Sequence, residues 1–279
     1  MQATVNGIRM AYTDEGQGMP LVFVHGFPLS RGAWQKQVEM LRSSYRVIAP
    51  DLRGLGESHP SASFGSAQDR SSGQGRDGVN TMAQMAEDIH ALLKQLNTGP
   101  VVLIGHSMGG YVALAFARQF PEMLRGLVLV GTKAGNDTPE AAGGRRATAE
   151  KVKAEGAKVV LDAMAPKMLA ASNKDERMAA QVRGFMERSQ PDGVIGALLG
   201  MAERPDSTEL LSQIYAPTLI ITGADDTIIP PAESEKMASA IKNAQLKVIP
   251  NAGHLVAFEQ PEEFNRALQE WLKNLRASS

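Results

Sequence analysis

The residue most suited to chemistry in this chain is the serine of the pentapeptide Gly105-His106-Ser107-Met108-Gly109. The pentapeptide lies between an apolar, strand-like run over 101–104 and a helix-like segment over 111–120. Glycines flank the serine because a turn this sharp leaves no room for side chains at those positions. The turn would raise the Ser107 hydroxyl above the sheet, with the free N–H groups of the next helix directed at it. This arrangement predicts a nucleophile.

A serine hydroxyl is a weak nucleophile at neutral pH and needs a base, for which the chain offers five histidines. His254 follows a strand-like run over 246–249 and a turn over 250–253. It therefore lies at the carboxyl end of a strand, where open α/β sheets build their sites, and it is the predicted base. The other four fit other roles: His106 packs beside the turn, His25 belongs to a different loop, His90 to an amphipathic segment and His59 to a polar loop.

The base in turn needs a carboxylate to orient it and to stabilise its protonated form. Two adjacent candidates, Asp225 and Asp226, follow the buried strand predicted over 218–222. Spacing alone does not choose between them. The order along the chain is serine, aspartate, histidine.

Strands and helices alternate along the chain, and the β-branched runs lack a period of two, which predicts a mostly parallel, doubly wound α/β sheet covered on both faces. Asn6-Gly7 predicts a hairpin that opens the sheet. The predicted strands cover 4–5, 8–12, 21–24, 45–49, 101–104, 124–130, 218–222 and 246–249, and the predicted helices 34–41, 82–96, 111–120, 232–240 and 261–275.

Composition predicts a self-contained cytoplasmic protein. The 279 residues are 43% hydrophobic, enough for a large core, and the net charge of −1 indicates no nucleic-acid partner. The absence of cysteine excludes disulfides and thiolate chemistry. No basic region precedes an apolar stretch at the N-terminus, and no apolar run is long enough to span a membrane. No phosphate-binding loop, dinucleotide motif or metal cluster is present, so we expect neither a cofactor nor a metal.

The chain resembles the α/β-hydrolase fold enzymes of the esterase, lactonase and perhydrolase type. The resemblance covers nearly all of the chain outside about 59–80 and 135–210. Besides the serine turn it rests on VHGFP over 24–28, DLRGLGES over 51–58, GADDTIIP over 223–230, and Gly253-His254 followed by EQPEEF over 259–264.

The resemblance implies roles for several of these residues. Asp226 matches the family's acid, and the backbone N–H groups of Phe27 and Met108 match its oxyanion hole. Leu29 and Trp34, just past the Phe27 loop, are the predicted pocket contacts, with His106 beside the serine turn as a third. Both hole donors are main-chain groups, so their side chains should matter less than that of Ser107.

Two segments interrupt the predicted core of residues 1–134 and 211–279. Residues 135–210 are helical in pattern and correspond to the lid of similar hydrolases; they contain five methionines that could shape a pocket or simply pack the helices. Residues 59–80 are rich in Ser, Gly and Gln and predict a flexible surface segment, for which a tolerated insertion is favoured over a functional loop. In the 51–58 motif, a structural turn held by an Asp51–Arg53 pair is favoured over carboxylate chemistry.

The predicted reaction is acyl transfer: hydrolysis of small carboxylic esters through an acyl-enzyme formed on Ser107. Lactone hydrolysis, carbon–carbon bond hydrolysis and perhydrolysis by a cofactor-free haloperoxidase are alternatives with the same residues. From a different class, a signalling protein that retains the triad to bind a ligand is also consistent. The substrate is expected to be a small molecule, and the oligomeric state stays open.

Overall fold

The structure, a computed structural model, describes residues 1–60 and 78–277. The strands of these residues are β1 (Gln2–Val5), β2 (Ile8–Glu15), β3 (Pro20–Val24), β4 (Arg46–Pro50), β5 (His59–Pro60), β6 (Val101–His106), β7 (Leu124–Val130), β8 (Thr218–Gly223) and β9 (Ala244–Ile249). The helices are α1 (Gln35–Leu41), α2 (Met82–Gln95), α3 (Met108–Gln119), α4 (Pro139–Glu155), α5 (Lys158–Met164), α6 (Glu176–Met186), α7 (Pro191–Ala202), α8 (Thr208–Leu211), α9 (Pro231–Ala240), α10 (Val256–Glu259) and α11 (Pro261–Ala277). The flexible insertion predicted over 59–80 falls largely on residues 61–77, which lie outside the described residues.

The strands form one sheet in the order β1-β2-β4-β3-β6-β7-β8-β9, with the short β5 paired to β2. β1, β2 and β4 pair antiparallel, and β1 and β2 enclose the predicted Asn6-Gly7 hairpin. From β4 to β9 all neighbours are parallel. The prediction of a mostly parallel, doubly wound α/β sheet is confirmed.

Helices cover both faces of the sheet, which is why the central strands contain apolar runs without alternation, over 21–24, 101–104 and 127–130. Along β3, Leu21 and Phe23 pack with α1 and α11, whereas Val22 and Val24 pack with α2 and α3 on the opposite face. These residues are all fully buried. The central strands are therefore fixed from two sides, and so are the loops at their ends.

The helices α4 to α8 lie between β7 and β8, in the part of the chain predicted to be a helical insertion. One of them, α7, is pressed against the core through its glycines. A Cβ atom on Gly193 would overlap the carbonyl oxygen of Gly54. The amide of Asn80 donates to the carbonyl of Gly196 at 3.0 Å. The backbone of α7 thus rests directly on the loops that contain Gly54 and Asn80.

The loop over 51–58 is structural, but its predicted internal ion pair is wrong. Asp51 instead accepts hydrogen bonds from the backbone of Arg31 at 2.6 Å and from that residue's guanidinium. Arg53 points toward α2 and pairs with the buried Asp88, with Nε–Oδ2 and Nη2–Oδ1 distances of 2.8 and 2.6 Å. The turn directs the two side chains apart, so each takes a partner distant in sequence.

Candidate active site

Ser107 occupies the sharp turn between β6 and α3. Its backbone has φ 52° and ψ −117°, a conformation that non-glycine residues rarely adopt. A Cβ on Gly105 would overlap the carbonyl of Gly109, and a Cβ on Gly109 would overlap the carbonyl of Val24. The turn is held in place because the Ser107 amide donates to the Val130 carbonyl at 2.9 Å. The two glycines are therefore required by close packing, as the pattern predicted.

His254 and Asp226 form a buried hydrogen-bonded pair. The Nδ1–H of His254 faces Asp226 Oδ2 at 2.8 Å, and both side chains are fully buried. The second ring nitrogen, Nε2, is buried and has no hydrogen-bond partner among the described residues. A histidine held this way keeps its proton on Nδ1 and offers the lone pair of Nε2 to an incoming proton.

The pairing distinguishes between the two adjacent aspartates. Asp226 Oδ1 accepts from the amides of Ile228 and Ile229, each at 2.9 Å, and Oδ2 faces His254. The chain turns back over this carboxylate, and the turn orients the side chain inward. Asp225 is exposed, and its amide donates to the Ala252 carbonyl at 2.9 Å.

The parallel register brings the carboxyl ends of the strands together. His106 at the end of β6 pairs with Val130 of β7, whose neighbour on β8 is Ile221, and Gly223 at the end of β8 pairs with Ile249 of β9. The loops that carry the serine, the aspartate and the histidine therefore leave the sheet at the same edge. Gly131, which follows β7, lies close to two of these side chains at the same edge. A Cβ on Gly131 would lie 3.3 Å from Asp226 Oδ2 and 3.6 Å from His254 Nδ1.

The loop after β3 runs directly beside Ser107. A Cβ on Gly26 would lie 2.7 Å from Nδ1 of His106 and 3.0 Å from the Cβ of Ser107, so a side chain here would force its neighbours to shift. His25 fixes the loop: its Nε2 accepts from the Leu52 amide at 2.9 Å, and its Nδ1 faces the Gly26 carbonyl at 2.9 Å. Burial lowers the pKa of His25, which agrees with a neutral ring in this role.

The amides of Phe27 and Met108 are the donors predicted for an oxyanion hole. Within residues 1–60 and 78–277, neither amide donates a hydrogen bond. Met108 is the first residue of α3, where N–H groups have no partner inside the helix and the helix dipole favours negative charge. Both donors are therefore available next to Ser107.

His106, beside the serine, is a packing residue. Its Nε2–H donates to the carbonyl of His254 at 2.9 Å, and its ring makes an edge contact with Trp34. Burial, followed by the neighbouring His254, lowers the pKa of His106 to about 3. The ring is therefore neutral, and it packs against the ring of His254 with a centroid distance of 4.8 Å.

The predicted pocket residues lie in different parts of the structure. Trp34 packs with Phe23, Phe264 and His106 in the core on the α1 and α11 face of the sheet. Leu29, by contrast, belongs to a buried apolar cluster shared with the helical segment between β7 and β8. The structure thus gives no support to pocket roles for Trp34 and His106, whereas Leu29 faces the segment predicted to be a lid.

A family model described as the alpha/beta hydrolase fold matches residues 19–261. The chain belongs to the α/β-hydrolase fold family. This α/β hydrolase is 42% identical to a thermophilic esterase from Thermogutta terrifontis, with 99% of each chain covered and a TM-score of 0.90. It is 31% identical to the non-heme chloroperoxidase CPO-A1 of Kitasatospora aureofaciens, over 96% of this chain and 98% of the relative. It is 29% identical to the (E)-2-((N-methylformamido)methylene)succinate hydrolase of Acinetobacter baylyi, with coverages of 94% and 93%.

Two residues of this α/β hydrolase reach the site without a role having been predicted for them from the sequence. The hydroxyl of Thr132 donates to the carbonyl of Ser107 at 2.8 Å and so braces the serine turn. Glu259 carries a buried carboxylate that accepts a hydrogen bond from the Gly253 amide, next to His254. An acidic residue that ends the apolar run over 255–258 is the sequence signal that could have found Glu259.

The described part of this α/β hydrolase contains no cluster of three or more histidine or carboxylate side chains that could hold a metal ion. None of its described helices combines the length and the apolar character needed to cross a membrane. The expectations of no cofactor, no metal, no nucleic-acid partner and a cytoplasmic location stay predictions.

Proposed function

We propose that this α/β hydrolase is a serine esterase that cleaves small carboxylic esters through an acyl-enzyme intermediate. The observation that carries the proposal is the buried 2.8 Å hydrogen bond between His254 and Asp226, which leaves His254 Nε2 free to act as a base. The strained Ser107 at the same sheet edge supplies the nucleophile. The 42% identity to an esterase over 99% of the chain supports the same chemistry.

In the proposed reaction, His254 Nε2 takes the proton of Ser107 as its oxygen attacks the carbonyl carbon of the ester. The oxyanion forms between the amides of Phe27 and Met108, and each such donor contributes about 10²–10³ in rate. His254 then protonates the leaving alkoxide. It afterwards takes a proton from water, whose attack releases the acid and regenerates Ser107. Asp226 fixes the tautomer and stabilises the imidazolium throughout.

The helical segment over 135–210 is proposed to act as a lid on the core formed by 1–134 and 211–279. The buried cluster that joins it to the core is apolar, and it consists of Leu29, Ala33, Leu161, Met168, Val182, Met186, Leu255 and Phe258. A substrate bound between lid and core would therefore present an apolar acyl or alkyl group. Methionines in this cluster can adjust to groups of different shape.

Perhydrolysis is the second candidate, favoured by the 31% identity to a chloroperoxidase over nearly the whole of both chains. Here hydrogen peroxide replaces water as the acceptor of the acyl group, and the product is a peracid. The catalytic residues are unchanged, so the two reactions differ only in the acceptor. Lactone hydrolysis, carbon–carbon bond hydrolysis and a signalling role remain as outcomes of the test.

The test is a series of p-nitrophenyl esters from acetate to decanoate, assayed with the wild type and with Ser107→Ala. We expect turnover that depends on Ser107. The acyl chain length that is hydrolysed fastest measures the space under the proposed lid. A fluorophosphonate probe should label Ser107 in the same preparations. Labelling without turnover of any ester would overturn the esterase proposal and favour lactones, carbon–carbon substrates or a ligand sensor. Peracid formation from acetate and hydrogen peroxide would identify perhydrolysis.

A further inference from the structure

Glu259 holds a buried carboxylate for which the proposed reaction has no use. The residue is the last of α10 and is 6% exposed. Its Oε2 accepts from the Gly253 amide at 2.7 Å, and its Oε1 accepts from Asn173 Nδ2 at 2.7 Å. The Ala170 amide is shared between the two oxygens, at 3.1 Å from each. Three N–H donors therefore converge on one side chain.

Among the described residues, no basic side chain forms an ion pair with this carboxylate. Burying a charge is costly unless it is paired or hydrogen-bonded, and here hydrogen bonds alone compensate for the lost water. A side chain that only had to fill this space could be apolar at lower cost. A carboxylate suits this position because it accepts hydrogen bonds from all three donors at once and so holds their parts of the chain in place.

The donors come from two separate parts of the chain. Gly253 immediately precedes His254, whereas Ala170 and Asn173 lie between α5 and α6, in the proposed lid. Other contacts bring the same two stretches together. The Leu255 amide donates to the Met168 carbonyl at 2.8 Å, and a Cβ on Gly253 would overlap the backbone amide of Ala170. The loop that carries His254 is thus attached on both sides of the histidine to residues 168–173.

We propose that Glu259 is a positioning residue for His254 and that it ties the position of the base to the seating of residues 168–173. The inference rests on the proposed function, because it assigns Glu259 to the geometry of the proposed base. Under this proposal, residues 168–173 of the proposed lid help to hold the proposed base in position. Displacement of residues 168–173 removes two of the three donors to Glu259 and one hydrogen bond to the His254 loop.

Glu259→Gln is the sharpest perturbation, because glutamine has the same shape but only one acceptor oxygen. The amide group must turn its NH₂ toward one set of donors, either that of Gly253 or that of Asn173. One N–H then faces another N–H and loses its acceptor, so the lid and the base can no longer be held by the same side chain.

Glu259→Gln is assayed with p-nitrophenyl acetate, and rates are divided by the number of serines that the fluorophosphonate labels. We expect kcat per labelled serine to fall between about tenfold and 10²-fold, since a small misplacement of a catalytic group has an effect of this size. KM should change by less than about threefold. Hydrogen–deuterium exchange should rise together over 168–173 and 253–255. Asn173→Ala, which removes one of the two lid-side donors, should move the same quantities in the same direction by a smaller amount.

Glu262→Gln is the matched control, because Glu262 is exposed at the start of α11. It should leave rate and exchange as in the wild type. If Glu259→Gln only lowered the number of labelled serines, with kcat per serine unchanged, Glu259 would be a stability residue and the inference would be wrong. Increased exchange confined to one of the two stretches would also overturn it. Failure of the wild type to hydrolyse esters would instead refute the proposed function, while the exchange data would still test the link.

Discussion

Replacing Asp226 by asparagine is expected to remove almost all hydrolysis while leaving the fold intact. Asp226 Oδ1 accepts from two backbone amides at 2.9 Å, so the single oxygen of asparagine must stay at that position. The NH₂ group then faces His254 Nδ1, which in the wild type donates to Oδ2 at 2.8 Å. Two donors cannot share this contact, so the ring must move its proton to Nε2.

A histidine with its proton on Nε2 cannot take the proton of Ser107. Loss of the correct tautomer in a serine–histidine–aspartate arrangement lowers kcat by about 10⁴-fold, which corresponds to about 5 kcal/mol in the activation free energy. The assay is the hydrolysis of p-nitrophenyl acetate by the wild type and by Asp226→Asn. Thermal unfolding of the same samples shows whether the fold is retained.

The neighbouring carboxylate provides a matched control. Asp225 is exposed, and Asp225→Asn should keep kcat within about twofold of the wild type. Retention of more than a tenth of wild-type activity by Asp226→Asn would refute the tautomer argument. If Asp225→Asn were then the inactive variant, Asp225 would be the acid.

Two further predictions concern stability. Gly193→Ala should lower the free energy of unfolding by about 3 kcal/mol, because the new Cβ overlaps the Gly54 carbonyl. Gly184→Ala in α6 should raise the free energy of unfolding by about 0.5–1 kcal/mol, because no described atom lies within 4 Å of the new Cβ. Urea unfolding measures both changes. Burial lowers the pKa of His106 from 6.5 to about 3, so between these values the unfolded chain binds a proton that the folded chain does not, and stability falls as the pH falls. His106→Gln should reduce this dependence by up to about 1.4 kcal/mol per pH unit in urea titrations, and an unchanged slope would contradict the assignment.

The order of strands and helices could be predicted from the sequence because recognisable turns follow the strands. Gly105 and Gly109 predicted the sharp turn, and the structure shows the backbone contacts that exclude larger residues at both positions. His254 could be singled out because it follows a strand and a turn, whereas each of the other four histidines fitted another role. These signals are local, so they can be read along the chain without knowledge of its three-dimensional contacts.

Other features depend on contacts between distant residues and left no local signal. Arg53 pairs with Asp88, which is 35 positions away, and not with the nearer Asp51. Trp34 lies close in sequence to Leu29, yet Trp34 packs in the core on the α1 and α11 face of the sheet, whereas Leu29 joins the apolar cluster shared with the segment between β7 and β8. Asp225 and Asp226 follow the same strand one position apart, so their spacing did not choose between them, and only the family resemblance favoured Asp226. The structure gives the physical reason, because the amides of Ile228 and Ile229 donate to the Asp226 carboxylate.

The position of β9 at the edge of the sheet, last in the parallel series, has a consequence for biosynthesis. A ribosome delivers the proposed nucleophile and both proposed oxyanion donors more than a hundred residues before His254. A chain interrupted before β9 would therefore carry a serine turn without a base, and it would be catalytically silent until the final segment joins the sheet. A domain folds as a unit, so the proposed hydrolysis requires that β9 and the loop after it have joined the sheet. Recovery of activity after dilution from urea should accordingly lag behind recovery of helical structure.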